Sequence, residues 1–184
     1  ENFYIKVKSD WSISDLPLFI NSNQVPILSV IVKRDCLEGI GGFDEDPNIQ
    51  NVEDYFLWIN LLIDGRRFAS IPEKLFYYRV HGLQSTKENG SSVMQHITLY
   101  KKLYNKNKDD VIALNILNSA KWGLFKTNFS KEYSILCYQI LNTLSKVSGR
   151  FFMLTRYCPS QKLTAKLQFK IINSFLNARN FDQS

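Results

Sequence analysis

The chain has 184 residues, 45% of them hydrophobic and 14% aromatic, with a net charge of +6. That is enough apolar material for one ordinary domain, or a small domain plus an extension, and it excludes a disordered polypeptide. No apolar run is long enough to cross a bilayer, and the mixed polar start ENFYIKVKSDW is not a signal peptide. The first residue is not Met, so the chain reads as a piece of something longer. The three cysteines, Cys36, Cys137 and Cys158, are far apart and form no Cys-x-x-Cys. They read as reduced, core-packed thiols of a cytosolic protein rather than a zinc site or a disulfide framework. The charge is unevenly spread: residues 1–92 carry 9 basic and 13 acidic side chains, net −4, and residues 93–184 carry 14 and 4, net +10. Such asymmetry suggests two units with different surroundings.

In chain order, residues 1–24 are irregular, with a short extended piece at FYIKV and one helical turn around Leu16 to Asn21. PILSVIVKR, 26–34, is β-branched and apolar and predicts a buried strand. Asp35 follows as the cap of a short helix, CLEGIG, which Gly41 and Gly42 end. FDEDPNIQN is a loop. VEDYFLWINLLID, 52–64, is apolar nearly all round and predicts a buried helix stopped by Gly65. RRFASIP and EKLFYYRVH are two strand-like runs. The class is therefore α/β, mixed α and β, over residues 1–90.

After His81 the texture changes. GLQSTKENGSS, 82–92, is a polar linker. Beyond it everything looks helical, at roughly 93–105, 110–127, 131–147 and 160–179, with Asp109, Ser130 and Ser160 placed as N-caps. Residues 91–184 thus form a basic helical extension. The pair 110–127 and 131–147 resembles one tetratricopeptide-like hairpin, too little to claim a repeat. In the last helix Leu163, Leu167, Ile171 and Phe175 form an apolar stripe, flanked by Lys162, Lys166 and Lys170. Such a basic amphipathic helix usually packs on its own domain; contact with a membrane surface is the less common use.

Residues 41–65, GGFDEDPNIQNVEDYFLWINLLIDG, hold six carboxylates. Two of them, Glu53 and Asp54, open the buried helix. Acids there are favoured by unpaired backbone N–H groups and the helix dipole, which accounts for one acid. Consecutive positions point about 100° apart, so one acid can cap while the other faces a cleft, kept ionised as a general base must be. On pattern alone the capping role is the better account. Gly41-Gly42 reads as a helix C-cap that also lets a ligand approach the backbone. Asp44-Glu45-Asp46 formally matches an Asp-x-Asp metal motif but sits in a loop beside Pro47, and reads as a solvated acidic loop. His81 ends a strand-like run, with Arg79 on the same face and Ser85 and Thr86 following. A lone His at a strand end is more often structural, yet imidazole suits Mn-type ions and Arg suits a diphosphate. The basic half has no nucleic-acid signature beyond its charge, so no nucleic-acid partner is expected.

The ordered set SVIVKRDCLEGIGGFDED, then VEDYFLWINLLIDGRRFASIPEKLFYYRVHGLQST, resembles the C-terminal, acceptor-side half of the inverting GT-A glycosyltransferases of the large bacterial family 2. It covers residues 27–85. The resemblance implies that residues 1–90 are an incomplete GT-A half. It implies that Asp54 is the base that takes the acceptor's proton, and that Glu53 shapes the acceptor side or caps the helix. Gly41, Gly42, Phe43 and Asp44 would line the acceptor or donor-sugar pocket, and Trp58 would be core. Arg79, His81 and Ser85 would stand near the diphosphate and its metal, with His81 a candidate ligand. The donor would be a nucleotide-sugar, the acceptor a saccharide or a lipid-linked one. The cofactor would be a divalent metal, Mn or Mg, in the full-length parent. The setting would be bacterial surface polysaccharide or capsule synthesis, in the cytoplasm at the inner face of the plasma membrane, where the basic tail docks peripherally.

The nucleotide-binding half of that family has no counterpart before residue 26. Even one βαβ unit takes about 30 residues. The chain alone is therefore expected to bind nucleotide-sugar poorly and to be inactive. The competing expectation is a non-catalytic interaction or membrane-surface docking module derived from the same scaffold.

Overall fold

The computed structural model describes residues 10–73, 75–77, 91–126, 130–144, 167–174 and 176–177. The chain divides into two units, Glu1–Glu88 and Asn89–Ser184. The first combines helices with a small sheet and the second is helical where described, so the class is mixed α/β with helix in the majority.

The first unit is organised by a buried helix. Helix α1 spans Leu16–Asn21, α2 spans Arg34–Ile40 and α3 spans Glu53–Ile63. Every side chain of α3 from Tyr55 to Leu62 is buried. A helix that is apolar all round needs cover on several sides, and α1 and α2 both pack against it. Its one buried amide, Asn60, donates from Nδ2 to the Phe56 carbonyl at 2.7 Å, so no polar group is stranded there. The helix stops at Gly65, whose φ of +81° only glycine adopts without strain. The Gly65 and Arg66 amides then donate back to the Leu62 and Leu61 carbonyls at 3.0 and 2.9 Å.

Strands β1, Asp10–Trp11, and β2, Phe68–Ala69, pair antiparallel, with Trp11 opposite Phe68. Two residues per strand make a weak sheet by themselves. Aromatic edge-to-face contacts tie it to the helices: Trp11 to Phe19 at 5.2 Å, Phe19 to Phe68 at 5.7 Å, and Trp58 to Phe68 at 6.2 Å. Each such pair adds on the order of 1 kcal/mol to the area it buries.

Several expected elements differ. Residues 26–34 are not a buried strand: Ile27–Ser29 is a 3-10 turn and 30–33 belong to no sheet. Ile31 is 99% exposed and Leu28 63% exposed. A β-branched run becomes a buried strand only where neighbouring strands take up its backbone groups, and the described residues supply none. RRFASIP keeps only β2, and Leu75, Phe76 and Tyr77 are exposed outside any strand. Asp35 is not the cap of α2. It lies in the first turn, with Lys33 at the N-cap, and its Oδ1 accepts the Cys36 amide at 3.0 Å. The FYIKV segment lies outside the described residues.

In the second unit α4 spans Ser91–Asn107, α5 spans Asp110–Lys126 and α6 spans Ser130–Leu144. The three pack mutually, with the α5–α6 contact the most extensive. Their core includes Ile97, Leu103, Ile112, Ile116, Leu136 and Ile140. The expected linker at 82–92 lies outside the described residues as far as 90, and its last two residues open α4. Asp109 caps α5 as expected: its Oδ1 accepts the Val111 and Ile112 amides at 2.8 and 3.1 Å. Ser130 is the first residue of α6, and Ser160 lies outside the described residues.

Residues 167–174 are helical, but the buried face is one position away from the expected stripe. Gln168 and Ile172 are buried, whereas Leu167 is exposed and Ile171 half-buried. Ser134 Oγ donates to Gln168 Oε1 at 2.9 Å, while the buried Gln168 Nε2 has no hydrogen-bond partner among the described residues. Lys170 is exposed as expected. Leu163, Lys162, Lys166 and Phe175 lie outside the described residues. Cys137 is buried, and burial pushes its thiol up to about 12. Cys36 is only half-buried, so the core-packed expectation fails for it. Cys158 is outside the described residues. No helix among the described residues is long and apolar enough to cross a membrane.

Asp109→Ala removes the acceptor of two otherwise orphan amides. We expect a loss of about 1 kcal/mol in unfolding free energy by urea denaturation followed by circular dichroism, with Asp109→Asn close to wild type. An unchanged midpoint in the alanine variant would contradict the capping geometry.

Candidate functional site

The head of α3 is the chemically distinctive place in the first unit. Val52 stands at the N-cap and has no polar side chain to offer, so Asp54 in the first turn meets an unpaired amide instead. Asp54 Oδ1 accepts the Tyr55 amide at 2.7 Å. This fulfils the capping role with one oxygen. The other, Oδ2, accepts from Asn23 Nδ2 at 3.2 Å. Asp54 is half-buried, and its remaining lone pairs are uncommitted to either bond.

Asn23 belongs to a turn that α3 holds in place. Tyr55 donates its hydroxyl to the Ile20 carbonyl at 2.9 Å, and Trp58 donates Nε1 to the Val25 carbonyl at 3.0 Å. Both rings are buried; the Tyr55 bond is buried too and the Trp58 bond partly so. Gln24 Nε2 donates to the Leu18 and Ser22 carbonyls at 3.3 and 3.1 Å, closing the end of α1. Asn23 Oδ1 accepts the Val25 amide at 3.1 Å in an Asx turn.

Burial pushes the Asp54 carboxyl above its ordinary value of 3.8. The Tyr55 amide and the Asn23 amide oppose that shift, and the neighbouring Glu53 charge adds to it. Desolvation therefore outweighs the helix-terminus stabilisation expected to keep this group ionised. Glu53 is half-buried; its Oε2 is closed off from water and accepts no hydrogen bond. An acceptor withdrawn from water without a donor is costly and uncommon.

The Gly41–Gly42 turn lies at the end of α2. Both glycines have positive φ, +87° and +75°, and the Gly42 amide donates to the Leu37 carbonyl at 2.8 Å. A Cβ at either would meet nothing within 4 Å. The glycines are needed here for their dihedrals, and the space above them is open. Phe43 is exposed and Asp44 half-buried. The Asp44 and Asp46 carboxylates serve the loop: Asp44 Oδ1 accepts the Asp46 amide at 3.0 Å, and Asp46 Oδ1 accepts the Asn48 amide at 2.9 Å.

The structure thus brings Glu53 and Asp54 together at one helix end and adds Asn23, Tyr55 and Trp58, which sequence reasoning did not place there. Asn23 sits in the polar cluster NSNQ, a turn signal by composition. Its partner 31 residues away has no local signature. Arg79, His81 and Ser85 lie outside the described residues. Among the described residues no three His, Cys, Asp or Glu side chains are grouped as for a metal ion. Comparison with family models, with curated proteins and with solved structures finds no match.

Because the folded-state value is raised, the native protein holds the Asp54 proton to higher pH than the unfolded chain. The contribution of this group to stability is thus lost as pH rises from 3.8 through the folded value, and is constant above it. Carboxyl NMR should place the Asp54 midpoint above 3.8; a midpoint at or below 3.8 would contradict the burial argument.

Proposed function

We propose that the first unit is the acceptor-side half of an inverting GT-A-type glycosyltransferase, with Asp54 as general base. The observation that carries this is a half-buried carboxylate at a helix end, raised in proton affinity and held by a rigid turn, beside a second carboxylate with an unused buried oxygen. A base must be within hydrogen-bond reach of the proton it takes and matched to it in affinity.

In the proposed reaction Asp54 takes the proton of an acceptor hydroxyl. The oxygen attacks the anomeric carbon of a nucleotide-sugar from the face opposite its diphosphate. The bond from that carbon to the diphosphate oxygen breaks, the electron pair leaves with the nucleoside diphosphate, and the configuration inverts. Glu53, next to Asp54 in the first turn, would shape the acceptor side. Gly41, Gly42 and Phe43 border the sugar, and the open space above the glycines supports that placement. A divalent ion, Mn or Mg, would offset charge on the departing diphosphate; it belongs with the nucleotide-binding half, with His81, Arg79 and Ser85 on this chain's side.

That half is the occupant we assign to the apolar strip Ile27, Leu28 and Ile31, which is exposed and free of sheet partners among the described residues. The acceptor is a saccharide or lipid-linked saccharide of bacterial surface polysaccharide synthesis. The basic helical unit, net +10 over residues 93–184, suits the anionic cytoplasmic face of the membrane.

In the enzyme that joins this chain to its nucleotide-binding half, Asp54→Asn should lower transfer by about 10²- to 10⁴-fold with donor affinity unchanged. Retained transfer would remove Asp54 from the role. The 184-residue chain alone should give no calorimetric response to nucleotide-sugar with Mn²⁺, and micromolar binding would contradict the division of labour.

A further inference from the structure

We infer that Asn23 is a positioning residue for Asp54, fixing the plane of its carboxylate and the direction in which its free lone pairs face. The inference rests on the assignment of Asp54 as base, and its geometry stands independently of that assignment.

The orientation of the Asn23 amide is settled by chemistry. The Val25 N–H can only donate, so the atom facing it at 3.1 Å is the Asn23 oxygen. The NH₂ group must then face Asp54 Oδ2, 3.2 Å away. Asp54 Oδ1 is held at 2.7 Å by the Tyr55 amide. With a donor on each oxygen, the Asn23 one solvent-exposed, the carboxylate has a preferred plane that a single donor would not set. The donor on the far side comes from a turn tethered at both ends, because its flanking carbonyls, Ile20 and Val25, are the acceptors of Tyr55 and Trp58. Those two residues follow Asp54 by one and four positions, so the helix that carries the carboxylate also anchors the amide that orients it.

The second acid shows what the amide does. Glu53 has no donor on Oε2. Of the two carboxylates, only Asp54 is braced on both oxygens among the described contacts. Glu53 is also the charged group that acts on Asp54, and α1, packed against α3, carries no ionisable side chain. The other ionisable groups on packed elements are those of α2, Arg34, Asp35, Cys36 and Glu38.

Asn23→Asp separates the two functions of the residue. It keeps an oxygen for the Val25 amide and replaces the donor to Asp54 with an acceptor of like charge. In the 184-residue chain the Asp54 carboxyl titration should move upward, further in Asn23→Asp than in Asn23→Ala, while the Trp58 indole N–H resonance stays in place. The alanine variant serves if the aspartate variant fails to fold. An unmoved titration with the indole in place overturns the inference. In the joined enzyme Asn23→Ala should lower kcat about ten- to a hundred-fold, with little change in KM. A shifted titration with unchanged kcat would leave the hydrogen bond standing and refute the positioning role. Full transfer by Asp54→Asn would instead refute the base, whatever the titration shows.

Discussion

Two hydrogen bonds from buried aromatic side chains hold the turn beside Asp54 in place. Tyr55 and Trp58 reach from one face of α3 to the carbonyls of Ile20 and Val25, and between those carbonyls lies the turn that carries Asn23. Each ring contributes apolar area to the core and uses its one polar atom to satisfy a backbone acceptor. Without them the turn would be tied to the helix only by its own polar side chains, which water competes for. The aromatic chain from Trp11 through Phe19 and Phe68 to Trp58 extends the same anchoring to the two short strands.

That constraint sets the electrostatics of the helix end. A carboxylate at an N-terminus is ordinarily favoured in its charged form. Here partial burial of the carboxyl outweighs that preference, and Glu53 adds repulsion. Such an arrangement weakens the fold slightly at neutral pH relative to a solvated acid. It also raises the proton affinity of the group, as the proposed role of base requires. The buried, unpaired Glu53 oxygen is a further local cost.

Much of this was legible residue by residue. α1 at Leu16–Asn21, the all-round apolar α3 and its Gly65 stop follow from local pattern, and so do the Asp109 cap and the three long helices. What pattern misjudged depends on partners. The run 26–34 has the composition of a buried strand, but composition does not supply the neighbours whose backbones a strand requires, and Ile31 stands in solvent. The stripe at 167–171 is offset: Gln168 is buried and bonded to Ser134, a pairing across 34 residues that periodicity cannot register. At the site, Glu53 and Asp54 were visible as an unusual pair, whereas Asn23 was not, since its function comes from a contact 31 residues away. The double glycine was legible as a helix C-cap, and its positive dihedrals at the end of α2 bear that out.

The most direct measurement of the account is the pH dependence of kcat for sugar transfer by the joined enzyme, set beside the carboxyl titration of Asp54 in the same protein. If Asp54 is the base, the rate falls toward acid with a midpoint that coincides with that titration, above 3.8. A rate that stays level while Asp54 becomes protonated would show that the proton leaves by another route, and the role given to this helix end would be withdrawn.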